Sequence, residues 1–439
     1  MQIQVKNFGK IKSANVILDG YTIFIGDNNS GKTYLMQLIY GVLDALTRIT
    51  FPKGVSPFGI NASEVKDVVN NWLGQNKEKI VSDTFKKNIP IGQLEIFFEP
   101  SEKVFSVKKL TKDEYTRLRG GDFPFPHDFD EKSMLFSIFE DDSPRNSFWG
   151  FDESQESKKY ISREMLRFAV KRLLGLFDIR RESNIFLPAS RSGLMLTRPF
   201  VFANREADRL IPAEKFFSER KGENEFGLTQ PIYDFLVFLQ THKGSEHKTK
   251  HFAQLISFIN KNIIHGEMKK TDNESFYRPE DSDEWLPPSV TSSMVNEISP
   301  VLQILTSVRG FQYIFYDEIE TCQHPTTQIQ MARLLNRMVN AGYKMVVSTH
   351  SDTMAAAISN LVALSFVDGK EIKCEKLRYE KEDLLKNDSV HAYQFLKDEN
   401  GLSVVTEVEK FNNLGMGYDF SLFSKASKDV FETAKVIYE

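Results

Sequence analysis

Cysteine is nearly missing from this chain. There are two in 439 residues, Cys322 and Cys374, with no paired spacing. That excludes a disulfide framework and a thiolate zinc site, and it fits a reducing compartment. Apolar runs are also short. None approaches the roughly 18 residues of a membrane span, so no membrane association is expected. Sustained heptads and internal repeats are absent, which argues against a long coiled coil or a solenoid. Charge of one sign is lacking too: 56 Lys and Arg against 60 Asp and Glu leave a net −4. This balance gives no support to broad non-specific DNA binding, though it leaves room for a local basic groove. The first residues alternate like a strand and have no signal-peptide core, so the expected location is cytoplasmic.

What the chain does have is Gly26-Asp27-Asn28-Asn29-Ser30-Gly31-Lys32-Thr33, the spacing of a phosphate-binding P-loop. A strand-like run, Tyr21 to Ile25, precedes it. A helical pattern follows, with Leu35, Leu38, Ile39, Val42, Leu43 and Leu46 on one face. Gly26 and Gly31 would permit turns that a Cβ blocks. The amides of Asn28, Asn29, Ser30 and Gly31, with the helix N-terminus, would surround phosphates. Lys32 would reach the β- and γ-phosphates of ATP, and the Thr33 hydroxyl would bind Mg²⁺.

The second half of such a site lies far downstream. Phe311 to Tyr316 is an apolar strand that ends in Asp317-Glu318, a Walker B pattern. Asp317 would meet the Mg²⁺ beside Thr33, and Glu318 would be the general base for the attacking water. Pro325 suits the first position of a helix, and Lys344 to Val347 reads as the next strand. That strand leads to Ser348-Thr349-His350-Ser351-Asp352, where His350 would sense or position the γ-phosphate and water.

The expected fold is α/β, a mixed sheet flanked by helices. Residues 1–194 form the first part of the nucleotide-binding head. Residues 195–288 form a mostly helical insertion, residues 289–380 the second part of the head, and residues 381–439 a C-terminal extension. Within the extension, Val390 to Lys397 reads as a helix, Leu402 to Val405 as a strand and Ser421 to Val436 as a final helix. Gly120 to Phe129 reads as a loop. Three histidines, His242, His247 and His251, alternate with lysines in what reads as a solvated basic loop rather than a metal site.

Asn7-Phe8-Gly9-Lys10-Ile11, GDNNSGKT, FYDEIETCQHP and STHSD together resemble the ABC-type ATPases of the RecF, SMC and OLD-like group, often described as AAA-family ATPases with an ABC-like head. The resemblance implies an ABC-ATPase-like head that homodimerises and sandwiches ATP between a P-loop and the partner's signature helix. The candidate signature is Thr291 to Glu297, with Ser292 and Ser293 binding a γ-phosphate in trans; a plain helix cap is the alternative reading. Pro300 implies a kink or an early break in that helix. Arg191 falls where these heads carry a Q-loop, and it would contact phosphate, couple head to insertion, or serve structurally. Glu320 and His324-Pro325 resemble the segment that lines the dimer interface in relatives.

Within the group, a compact head without a coiled coil looks like the ATPase subunits of prokaryotic anti-phage systems such as PARIS and Septu. Those act on a separately encoded effector, often a nuclease. The alternatives are a RecF-like repair ATPase that binds DNA and an ATP-bound scaffold with little turnover. An OLD-type nuclease is disfavoured, because Asp128/Asp130 and Asp281/Asp283 have the D-x-D spacing only in polar loops.

Overall fold

The computed structural model describes residues 1–50, 59–98, 103–111, 134–141, 143–151, 154–175, 183–206, 227–270 and 275–410, with isolated positions elsewhere. The Gly120–Phe129 loop, Asp128 and Asp130 lie outside the described residues, as does nearly all of the final helix read over Ser421 to Val436.

The chain opens with β1 (Gln2–Phe8), β2 (Ile11–Ile17) and β3 (Tyr21–Ile25), then α1 (Lys32–Leu46), β4 (Gly59–Asn61) and α2 (Ala62–Phe85). Strands β5 (Ile91–Phe97), β6 (Val104–Leu110), β7 (Met134–Glu140) and β8 (Ser143–Phe151) follow, then α3 (Gln155–Leu173), β9 (Ser183–Leu187) and α4 (Arg191–Glu206). Next come α5 (Gln230–Thr241), α6 (Glu246–His251), α7 (Ala253–Ile259), the hairpin β10 (Gly266–Lys270) and β11 (Ser275–Pro279), and α8 (Ser293–Thr306). The remainder is β12 (Phe311–Tyr316), α9 (Pro325–Asn340), β13 (Lys344–Thr349), α10 (Asp352–Phe366), α11 (Lys370–Leu377), β14 (Val390–Lys397) and β15 (Ser403–Glu407).

Nine strands form the main sheet in the order β5-β1-β2-β15-β14-β3-β13-β12-β9. The P-loop strand β3 runs parallel to β13 on one side and β14 on the other, and β12 runs parallel to β13 and β9. Strands covered on both faces read as near-continuous apolar runs. Accordingly, all residues of β3 and β12 are buried. Successive side chains point to opposite faces, so β3 sends Phe24 into one core and Tyr21, Ile23 and Ile25 into the other. The first core packs against α1, α2 and α3; the second packs against α5, α7, α8, α9 and α10. The head is the expected α/β mixed sheet flanked by helices, and no long coiled coil occurs among the described residues. Among those residues no helix is long and apolar enough to cross a membrane.

Several expectations need correcting. Val390 to Lys397 is a strand. Its burial follows the period-two pattern of Val390, Ala392 and the pair Tyr393 and Phe395, which in so short a run resembles a helix face. With β15 it fills the middle of the sheet, so residues 390–407 belong to the head core and are not an appendage. The 194/195 boundary falls inside α4, and the insertion carries the β10–β11 hairpin as well as helices. Strands β7 and β8 were missed; they complete a four-stranded sheet, β4-β6-β7-β8. Helix α8 neither breaks nor stops at Pro300 but continues to Thr306. Burial of Val295 through Leu305 outweighs the backbone hydrogen bond the proline removes.

Truncation after residue 380 would strip β14 and β15 from between β3 and β2. The expected outcome is a chain that aggregates or shows no cooperative thermal transition, whereas a true appendage would leave the melting curve intact.

Candidate functional site

The P-loop connects β3 to α1, and its geometry requires its glycines. Gly26 has φ +152° and Gly31 φ +98°. A Cβ at Gly26 would lie 3.1 Å from the Phe395 Cβ and 3.2 Å from Ser30 Oγ. Gly31 is the N-cap of α1 and supplies no side-chain cap, leaving the first amides of the helix for a ligand. Ser30 is buried and its Oγ has no partner, a polar atom oriented for something beyond the protein. Its carbonyl accepts from Ser403 Oγ on β15 at 2.6 Å, so a central strand braces the loop. Asn28 and Asn29 are exposed, and Lys10 Nζ donates to Asn29 Oδ1 at 2.8 Å.

Lys32 folds back onto its own loop, donating to the carbonyls of Gly26 at 2.7 Å and Asp27 at 2.9 Å. Burial pushes its ammonium below the ordinary lysine value, against the opposing pull of Asp317, Glu318, Glu320 and Asp27. Thr33 Oγ1 donates to Asp317 Oδ2 at 2.8 Å, joining residues 284 positions apart. Ser348 Oγ donates to the other carboxylate oxygen at 2.5 Å. Burial raises the Asp317 carboxyl above the ordinary carboxylate range, and the bonds from Ser348 and Thr33 work against that rise. Thr33 and Asp317 are therefore placed together as a hard-cation site requires: a hydroxyl and a carboxylate, both oxygen donors.

Glu318 follows in the left-handed region, at φ +47°. For a glutamate this backbone costs of order 1–3 kcal/mol and persists only where neighbours enforce it. Three neighbours do so. Its N–H donates to Ser348 Oγ at 2.9 Å; its carbonyl accepts from Thr321 Oγ1 at 2.9 Å and from the Arg191 guanidinium at 3.2 Å. The carboxylate itself has no protein partner among the described residues and is only partly buried. Its position is thus set by its backbone contacts. His350 sits at the end of β13, where its N–H and Nδ1 approach Glu320 Oε1 at 2.8 and 3.1 Å. The carboxylate fixes the ring and leaves Nε2 for another contact. Glu320 is buried and turned towards His350, so it orients a site residue and does not sit on an outer surface.

Arg191 requires a correction. Its side chain is 0% exposed, and Nε lies 2.7 Å from Glu297 Oε2, also 0% exposed. Its two amino nitrogens donate to the carbonyls of Pro188 and Asp317 at 2.7 Å and of Glu318 at 3.2 Å. The guanidinium also stacks 4.6 Å from the Tyr316 ring centroid. A guanidinium buried and engaged in this way is not available to a phosphate; Arg191 is a structural clamp joining β9, β12 and α8. The candidate signature residues Ser292 and Ser293 are exposed at the start of α8. Ser292 caps the helix, accepting from Val295 N at 3.3 Å. No bond brings either serine to the chain's own P-loop. Sequence reasoning missed Ser348, which holds both Asp317 and the Glu318 amide; the available signal was a hydroxyl residue ending the strand beside Walker B.

Two outcomes follow. The native state binds the Asp317 proton more tightly than the unfolded chain does, so this group's contribution to stability falls as pH rises above about 3.9. Asp317→Asn should therefore melt at a higher temperature than the parent at pH 7, with the gap closing towards pH 4. Arg191→Met should cost about 3–5 kcal/mol in chemical denaturation by stranding Glu297, and Arg191→Met with Glu297→Met should recover part of that loss.

Residues 1–284 match the AAA ATPase domain family. No curated protein matches the chain in sequence. Among solved structures, the chain is similar to an Smc head bound to the C-winged helix domain of ScpA, at 11% identity, TM-score 0.37, over 93% of this chain and 97% of the other. It is also similar to the Smc head with an extended coiled coil bound to the C-terminal domain of ScpA from Pyrococcus furiosus, at 12% identity, TM-score 0.36, over 99% and 98%. The third is the SMC head domain from Thermotoga maritima, at 11% identity, TM-score 0.32, over 93% and 98%. The family match covers the P-loop and most of the sequence, and the chain belongs to the AAA ATPase domain family.

Proposed function

We propose that this chain binds ATP with Mg²⁺, hydrolyses it slowly, and serves as the nucleotide-dependent switch of a prokaryotic anti-phage complex that controls a separate nuclease effector. The observation that carries the ATPase reading is Asp317, held between Thr33 and Ser348, with Glu318 unpartnered beside it. Thr33 and Asp317 would hold the cation, which would neutralise charge on the phosphates. Lys32 would exchange its two carbonyl partners for phosphate oxygens. The uncapped N-terminus of α1 would supply amides to the same group. Glu318, fixed by its strained backbone, would take the proton from the attacking water, and His350 would position that water.

The exposed Ser292 and Ser293 support a homodimer in which each head completes the other's site. Val290, close by, is 65% exposed and would be covered in such a dimer. The effector and the defence role rest on architecture alone, a compact head with a short insertion.

Lys32→Ala should abolish ATP binding at the P-loop. Glu318→Gln should keep binding, slow turnover about 10²–10⁴-fold and accumulate the dimer, read by phosphate release and light scattering. Wild-type turnover by Glu318→Gln would sink the general-base assignment. Purification from the native operon with ATP, and with Lys32→Ala, tests the rest. A small nuclease held or released with nucleotide supports the switch; a lone dimer retaining DNA overturns it.

A further inference from the structure

The direction in which the Glu318 side chain leaves the backbone is set by the two peptide planes that flank its Cα. The carbonyl of Asp317 belongs to the first plane and that of Glu318 to the second. One guanidinium binds both. Arg191 donates to the Asp317 carbonyl at 2.7 Å and to the Glu318 carbonyl at 3.2 Å. Peptide units are rigid, so holding the two planes holds φ and ψ of Glu318, and with them the Cα–Cβ bond. At φ +47° this is a backbone that a glutamate adopts only under constraint, and it relaxes if its holders let go.

The other two holders are near neighbours. Ser348 Oγ, at the end of β13, accepts from the Glu318 amide at 2.9 Å, and Thr321 Oγ1 donates to the Glu318 carbonyl from three residues on, at 2.9 Å. Arg191 differs in what stands behind it. Its Nε lies 2.7 Å from Glu297 Oε2, with both side chains 0% exposed. Glu297 belongs to α8, about one and a half turns beyond the Ser292 cap.

A displaced α8 therefore carries Glu297 with it. The pair resists separation, because a buried charge that loses its partner has no water to replace it. The guanidinium is a flat plate with donors at fixed angles, so it converts a shift of the helix into a tilt of both peptide planes. The cation site has separate supports: the Asp317 carboxylate is held by Thr33 at 2.8 Å and Ser348 at 2.5 Å.

We propose that Arg191 is a positioning residue for ATP hydrolysis: through Glu297 it follows the seating of α8, and through two carbonyls it sets the direction of Glu318. This rests on the ATPase reading above. Ser292 and Ser293 are exposed where α8 begins. A second copy of the chain seated there would fix α8, and with it the angle of the general base. Turnover then requires the dimer, whereas ATP binding at the P-loop does not.

The test is steady-state phosphate release by the full chain carrying Arg191→Lys. Lysine keeps a positive charge opposite Glu297 but replaces the fork with a single ammonium, which cannot hold both carbonyls in their present directions. The expected result is kcat at least about tenfold lower with KM for ATP within about twofold, and a melting curve is the folding control. In the Glu318→Gln background the same substitution should cost less than about twofold, because Arg191 acts through that carboxylate. A general loosening of the fold would lower turnover in both backgrounds. If Arg191→Lys does not fold, Arg191→Met with Glu297→Met, which strands neither charge, takes its place with the same expectations. Wild-type kcat in a folded Arg191 variant overturns the proposal and leaves the ATPase reading standing. A loss of kcat that recurs in full with Glu318→Gln also overturns it. No phosphate release from the wild-type chain overturns the ATPase reading and this proposal together.

Discussion

A single buried cation sets the geometry of the nucleotide site. Arg191 has no access to water, so its charge must be balanced inside the protein. The solution uses four elements at once: the end of β9, the carbonyls of Asp317 and Glu318, the face of Tyr316, and Glu297 on α8. Glu297 in turn accepts from the Ser192 amide at 2.8 Å, closing the circuit at the start of α4. Displacing α8 would break charged contacts in a region of low dielectric, so the helix that opens with Ser292 and the loop that carries Glu318 are mechanically one unit.

The resting site is held under electrostatic tension. Lys32 is charged where burial disfavours charge, Asp317 is a carboxyl that burial would rather protonate, and Glu318 occupies a backbone conformation it would not choose. The first two liabilities have the sign that a triphosphate and a divalent cation would relieve. The strands beneath these residues, β3 and β12, are themselves fully buried.

Phosphate chemistry needs its residues at fixed local spacing, and for that reason the P-loop, Asp317, Glu318 and the strands that carry them were legible in the sequence. Gly26 and Gly31 could be assigned from backbone requirements alone. Arg191 was legible as a position but not as a role, because a guanidinium's acceptors lie 106 to 127 residues away in sequence for Glu297, Asp317 and Glu318. Ser348 was hidden for the same reason. Strand β14 was misread because eight residues with four buried positions satisfy a helical face and a half-buried strand almost equally. Its identity is fixed by pairing with Tyr21 to Ile25, which no local pattern reports. The insertion was legible as a departure from the sheet's rhythm, while its β10–β11 hairpin was not, because its pairing is not reported by any local pattern.

The pairing of Tyr21–Ile25 with Val390–Gln394 has a consequence for synthesis. The strand that feeds the P-loop leaves the ribosome long before β14, one of its two neighbours. Sheet pairings of such sequence separation form slowly and late. Until β14 and β15 emerge, β3 presents an open edge, and the brace from Ser403 to Ser30 does not exist. A nascent chain therefore cannot complete this loop from its N-terminal segments alone.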